Sequence, residues 1–138
     1  MRIIYKGKID GEFTGFDDHK LFKMANGTYW IQNQYRYWYH YIYRPDVEIT
    51  EELGRYILKV EGQSIPIIRI DVIESYIDGE FKGWDGKSIY KLGNGQTWQQ
   101  SSYKYEYKYA YRPEAIIYSA NGSYIMSVDG TEAEVRKI

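Results

Sequence analysis

The sequence predicts an all-β protein made of one unit written twice. Three observations carry this. Tyr, Ile, Val and Thr dominate the apolar positions, and apolar residues do not recur at the three- and four-residue spacing of a helix. Asp-Gly and Asn-Gly pairs punctuate the chain every eight to twelve residues, the rhythm of short strands joined by tight turns. The second half also repeats the first at a constant offset of 68: 26 of the 70 positions paired between residues 1–70 and 69–138 are identical, without a gap. The units are therefore set at residues 1–70 and 71–138.

Each unit carries Ile-Asp-Gly-Glu-Phe near its start, at Ile9–Phe13 and again at Ile77–Phe81, an Asp-Gly turn leading into a strand. Asn26-Gly27 and Asn94-Gly95 mark the next hairpin, followed by Trp30 and Trp98. Then come two tyrosine ladders, Tyr35, Tyr37, Tyr39, Tyr41, Tyr43 and Tyr103, Tyr105, Tyr107, Tyr109, Tyr111, closed by Arg44-Pro45 and Arg112-Pro113. Strict alternation places each ladder on one face of a strand. In the second unit Lys104, Glu106, Lys108 and Ala110 lie between the rings. This mostly charged face is expected to meet solvent and the tyrosines to point at the core. Nine residues would span roughly 26 Å, so a strongly bent strand is expected. Trp98 and Gln100 have the opposite parity, which calls for a bulge or turn at Gln100–Ser102, and at Gln32–Gln34 in the first unit. Ala115–Ser119, Tyr124–Val128 and Ala133–Ile138, separated by Asn121-Gly122 and Asp129-Gly130, read as a three-stranded meander. Ile65–Ile73 joins the units with neither Gly nor Ser, which predicts a fixed relative orientation.

The second unit resembles a short bacterial module of unassigned role that is appended to unrelated proteins. The resemblance rests on Ile77-Asp78-Gly79-Glu80-Phe81-Lys82-Gly83-Trp84-Asp85-Gly86, on Leu92-Gly93-Asn94-Gly95-Gln96-Thr97-Trp98-Gln99-Gln100, on the ladder and on Arg112-Pro113. The first unit departs from it at Phe16, Thr28 and Ile31. With the length, turn spacing and meander, it implies two tandem small SH3-like barrels, an analogy that carries no function with it.

Composition narrows the function classes. The chain has 138 residues, 18 basic and 19 acidic, a net charge of −1 and 25 aromatics, of which 17 are Tyr. The absence of Cys removes disulfide frameworks and Cys-ligated zinc. No signal peptide or apolar span is apparent, so a cytoplasmic location and no membrane partner are expected. His19 and His40 give way to Lys87 and Lys108 in the second unit and form no metal cluster or triad. Asp10/Glu12 and Asp78/Glu80 belong to turns. No catalytic residue, metal or cofactor is expected, and the favoured function is a non-enzymatic binding or scaffold protein with a protein partner, self or other.

The candidate contact patch is Arg36, Trp38, His40 and Ile42, because an apolar Trp and Ile stand where the second unit has Glu106 and Ala110. The alternative is a nucleic-acid surface, in which bases stack on tyrosines flanked by Arg36, Arg44, Lys104, Lys108 and Arg112. Against it, the second unit holds 8 basic and 10 acidic residues. Glycan or cell-wall binding through stacked aromatics is the second alternative.

Overall fold

The computed structural model describes residues 1–120 and 122–138, which divide into two compact units, Met1–Ile70 and Asp71–Ile138. The protein is all-β. The expected Asn121-Gly122 turn falls in part outside the described residues.

The first unit has eight strands: β1 (Arg2–Lys8), β2 (Glu12–Phe16), β3 (Leu21–Lys23), β4 (Tyr29–Gln32), β5 (Trp38–Tyr43), β6 (Asp46–Glu52), β7 (Arg55–Val60) and β8 (Gln63–Ile70). Six of them form an antiparallel sheet in the order β1-β6-β7-β8-β4-β3, and β2 pairs with β5. Alternation along β6 turns Val47 and Ile49 into the core and leaves Asp46 outside, while the adjacent Thr50 is buried as well. Val47 and Ile49 join Phe13, Phe16, Phe22, Trp30, Leu58, Ile65 and Ile67 in one apolar cluster. Fully burying an aliphatic or aromatic side chain of this size contributes about 1.5–3 kcal/mol.

The second unit contains β9 (Ile73–Tyr76), β10 (Glu80–Phe81), β11 (Trp84–Asp85), β12 (Ile89–Lys91), β13 (Thr97–Gln100), β14 (Tyr105–Glu106), β15 (Ala110–Tyr111), β16 (Glu114–Ala120), β17 (Ser123–Val128) and β18 (Thr131–Lys137). Its main sheet runs β12-β13-β18-β17-β16-β9, with the antiparallel pairs β10-β15 and β11-β14 beside it. β16, β17 and β18 form the meander. The core gathers Phe81, Trp84, Leu92, Trp98, Ile117, Met126 and Val135.

The ladder is not one long strand. In the first unit only Trp38–Tyr43 is strand, and the two residues His40 and Tyr41 oppose the single residue Thr14. In the second unit, four steps from Ala110 to Glu106 face three steps from Phe81 to Trp84. The extra residue bends the ladder. The partner strand adapts through Gly15 and Gly83, both at positive φ and both so close to the ladder that an added Cβ would collide with the carbonyl oxygen of Trp38 or Glu106.

Gln32 and Gln100 hold the corner that leads into each ladder. Gln32 is fully buried, with Nε2 donating to the carbonyls of Asp17 and Gln34 and Oε1 accepting from Asp17 N–H at 3.0 Å. Gln100 donates to Ser102 O at 3.0 Å and Lys104 O at 2.9 Å, and accepts from Gly86 N–H at 2.8 Å. One amide thus satisfies three backbone groups that would otherwise be starved of partners. The expected parity switch does not occur here. Even-numbered residues face inward on both sides of the corner, from Trp30 and Gln32 to Trp38 and Ile42.

Gln100→Ala is therefore expected to destabilise the second unit by about 1–3 kcal/mol, because two partly buried carbonyls lose their donor. Gln100→Leu, which fills the space, should not restore the loss. Chemical denaturation of both variants checks this, and a Gln100→Leu variant as stable as the wild type would refute it.

Tyr118 on β16 is buried at 5% exposure, and its hydroxyl donates to the Glu132 carboxylate. Burial, with the nearby Glu132 charge, raises its pKa well above the ordinary phenol value. The unfolded chain ionises this tyrosine near pH ~10 while the folded chain keeps its proton, so the stabilising difference is present below that pH and lost above it. Folding stability should fall by about 1.4 kcal/mol per pH unit from this group above pH ~10. Tyr118→Phe should flatten that slope in denaturation curves taken from about pH 9 to 11.5.

Candidate functional site

All ten ladder tyrosines face solvent, with exposures between 52% and 83%. This overturns the expectation that the tyrosines point at the core; of the residues between the rings, Arg36 and Glu106 remain exposed, while Trp38, His40, Ile42, Lys104, Lys108 and Ala110 are half-buried. Successive rings on one face stand roughly 6.6 Å apart along a strand, two residues at ~3.3 Å each.

Of the contact patch, Arg36 is exposed and Trp38, His40 and Ile42 are half-buried. Trp38 and Ile42 are half-buried and pack on the core, Trp38 lying 5.1 Å from the Phe16 ring and 6.0 Å from Phe13. His40 stacks on Trp38 at 5.1 Å, nearly parallel. The Arg36 guanidinium donates to Ser64 O at 2.8 Å and to Gln63 Oε1.

The Trp38/Glu106 exchange is one third of a linked change. Where the first unit has Phe16, Trp38 and Gln63, the second has Trp84, Glu106 and Thr131, and these form a relay. Trp84 Nε1 donates to Thr131 Oγ1 at 3.2 Å, and Thr131 donates to Glu106 Oε1 at 2.6 Å. The Thr131 hydrogen bond keeps the Glu106 carboxyl below its ordinary pKa. An aromatic cluster in one unit is thus replaced by a hydrogen-bonded chain in the other.

Four residues of the alternative basic set, Arg36, Lys104, Lys108 and Arg112, are engaged by partners outside the ladder. Lys104 Nζ donates to Glu132 O at 2.6 Å, the position equivalent to the Ser64 carbonyl that Arg36 reaches. Lys108 Nζ donates to Asp129 O and lies 3.9 Å from its carboxylate. The Arg112 guanidinium sits 4.8 Å from the centre of the Tyr76 ring, and the Arg44 carbonyl receives Lys8 Nζ at 3.4 Å. Arg36 and Lys104 tie the ladder to the start of the last strand of their units, and Lys108 ties it to the turn before that strand.

The neighbours of the rings are acidic. Tyr41 hydroxyl lies 3.3 Å from Glu12 Oε1, and Tyr109 hydroxyl lies 3.4 Å from Glu80 Oε1. In the second unit the ladder borders an open groove of about 340 Å³ walled by Glu80, Lys82, Asp85, Ser88, Tyr105 and Tyr107. Asp85 Oδ1 accepts Lys87 N–H at 2.8 Å and Ser88 Oγ at 2.9 Å, which holds its carboxyl below the ordinary range. On the groove's inner side Tyr90 hydroxyl donates to Gly83 O and accepts from Lys82 N–H, so its donor is spent.

Gln32, Gln100, Thr131 and the Asp85–Ser88 pair are not singled out as site-forming by the sequence. The identity of the glutamines in both units is the signal that could have found the first two. Thr131 and Ser88 differ between the units and give none.

Among the described residues, no group of three or more His, Cys, Asp or Glu is placed to hold a metal ion, and no helix is long and apolar enough to cross a membrane. Comparison of the chain with protein-family models, curated proteins and solved structures finds no match.

Glu12 raises the Tyr41 pKa first through its negative charge. Glu12→Gln should shift Tyr41 ionisation to lower pH. In a spectrophotometric titration of the phenolate band, the difference between wild type and variant should vanish in a Tyr41→Phe background.

Proposed function

We propose that this chain is a binding module, a tandem of two SH3-like barrels related by the 68-residue duplication, which contacts a protein partner through its tyrosine ladders. The observation that carries this is the solvent exposure of all ten ladder rings. Leaving so much aromatic surface in water contributes nothing to the core, while large contiguous aromatic surfaces characterise interaction sites. Tyrosine suits such a surface because each ring offers apolar area and a hydroxyl at the cost of only two side-chain torsions.

Support for the tandem comes from equivalent pairings in the two units: Phe13 with Ile42 and Phe81 with Ala110, Trp30 with Arg69 and Trp98 with Lys137. Kinship with the short bacterial module, and a cytoplasmic setting, are part of the same proposal. The partner is a protein, another copy or a different chain, rather than a nucleic acid, because the basic side chains are engaged away from the rings and the polar groups beside the rings include Glu12 and Glu80.

The test is a variant carrying Tyr→Ser at positions 35, 37, 39, 103 and 111, compared with wild type on a peptide array and in sedimentation. These side chains are exposed, so the thermal midpoint should stay within a few degrees, while peptide capture or self-association falls at least tenfold. Unchanged capture and association would refute the ladder as the contact surface. Exposed rings are also what single-stranded nucleic acid would need, and oligonucleotide binding that collapses between about 50 and 200 mM salt would replace the protein reading with that one.

A further inference from the structure

The strand that carries the first ladder is open along one edge. β5 pairs with β2, and no second strand borders it among the described residues. The direction of its backbone groups follows from its neighbours. An added Cβ on Gly15 would meet the carbonyl oxygen of Trp38 and the backbone nitrogen of His40, and Arg44 N–H donates to Gly11 O at 2.8 Å. Even-numbered residues therefore turn their backbone toward β2. Backbone direction alternates along a strand, so the N–H and C=O groups of Tyr39, Tyr41 and Tyr43 point the other way, at the free edge. Their rings, 66%, 52% and 64% exposed, stand on the adjoining face. Edge groups and rings form one accessible strip.

The second unit supplies an independent observation, because it guards the same edge. Both ladders share the bulge opposite β2 or its counterpart, but the second is strand only at Tyr105–Glu106 and Ala110–Tyr111, and its half-buried Lys104 and Lys108 lean on the last hairpin. A short edge strand with inward-pointing charges resists pairing with another chain. β5 runs as one strand of six residues, and residues 37–43 include no Lys, Arg, Asp or Glu. Deepening the ladder proposal, on which the choice of a protein partner rests, we infer that the free edge of β5 pairs antiparallel with β5 of a second copy, across a two-fold axis at Tyr41. In that register Tyr41 faces Tyr41 of the second copy and Tyr39 faces its Tyr43, so every free N–H and C=O of the three residues finds a partner. The uncharged strip meets itself without like-charge repulsion, and rings opposite one another on the same face add to the backbone bonds. The two-fold closes the assembly at two chains. Three rings exposed to this degree offer about 250–500 Å² per copy, short of the ~800 Å² that each partner of a stable complex buries. The dimer is therefore weak and forms at high protein concentration.

Sedimentation of the intact protein over rising concentration, with amide hydrogen exchange at both ends of the series, tests this. A monomer–dimer equilibrium is expected, with exchange at Tyr39, Tyr41 and Tyr43 slowing at least fivefold in the concentrated sample and exchange at residues 105–111 unchanged. Tyr41→Lys sets two ammonium groups face to face on the two-fold axis and should weaken dimerisation at least threefold, as should Tyr41→Glu with two carboxylates. An equimolar mixture of these two variants should recover it, which also verifies that both fold. A monomer at every concentration, association that continues past the dimer, protection on the second ladder instead, or association indifferent to Tyr41→Lys would each overturn the inference. The ladder variant of the preceding test keeps Tyr41, Tyr43 and the backbone, so the two ideas fail separately. Peptide capture by a strictly monomeric wild type, lost in that variant, sinks the edge alone. Edge protection in a wild type whose capture and association that variant leaves unchanged sinks the ring surface alone.

Discussion

A single buried amide at the mouth of each ladder governs how the rest of the unit can be arranged. Gln32 and Gln100 face inward at the end of a strand and gather the backbone of two neighbouring loops around one side chain. An unpaired carbonyl in that position would cost as much as several apolar contacts contribute, so the loops have little freedom to wander. The amide sets where the ladder starts. The bend opposite Gly15 and Gly83 then sets how far it curves. Together they bring the inward residues of the ladder over the core and leave the tyrosines no place but the outside.

The two units complete that inward face with different chemistry. The first lays Trp38 on Phe13 and Phe16 and gains aromatic contact. The second runs Trp84, Thr131 and Glu106 as a hydrogen-bonded chain. Either works because the polar atoms brought inward find partners, the condition under which burying a polar group is tolerable. Arg36 and Lys104 show the same economy, as two different cations reaching equivalent carbonyls, Ser64 and Glu132. The cation differs between the units while the backbone carbonyl it serves is at the equivalent position.

Much of the outer face is what this inner arrangement leaves over. Tyrosine tolerates exposure on a strand better than Phe or Trp, since its hydroxyl keeps water close while the ring favours the extended backbone. The groove of the second unit exists because Ser88 is small and its hydroxyl folds back on Asp85, whereas Lys20 reaches across to Thr14. Two paired differences, Thr14 for Lys82 and Lys20 for Ser88, thus place the lysine on opposite sides of the equivalent space in the two units.

Period-two alternation, turn pairs and the internal repeat were legible in the residues alone: the all-β class, the meander of β16, β17 and β18, and the fact that all five rings of a ladder share one face follow from local geometry. Which face is inward was not. Lys104, Glu106 and Lys108 read as a solvent face because an isolated charged strand edge belongs in water, and Trp38 with Ile42 in the other copy pointed the opposite way. What decides the matter is far off in sequence. The carbonyls of Asp129 and Glu132 and the hydroxyl of Thr131 lie 21 to 28 residues from the groups they meet. Only when the last hairpin packs beside the ladder do those partners stand within reach, and only then do the lysines lean on it, half-buried, while the tyrosines stand out. Alternation is a property of one strand; its direction belongs to the partners that the fold assembles around it.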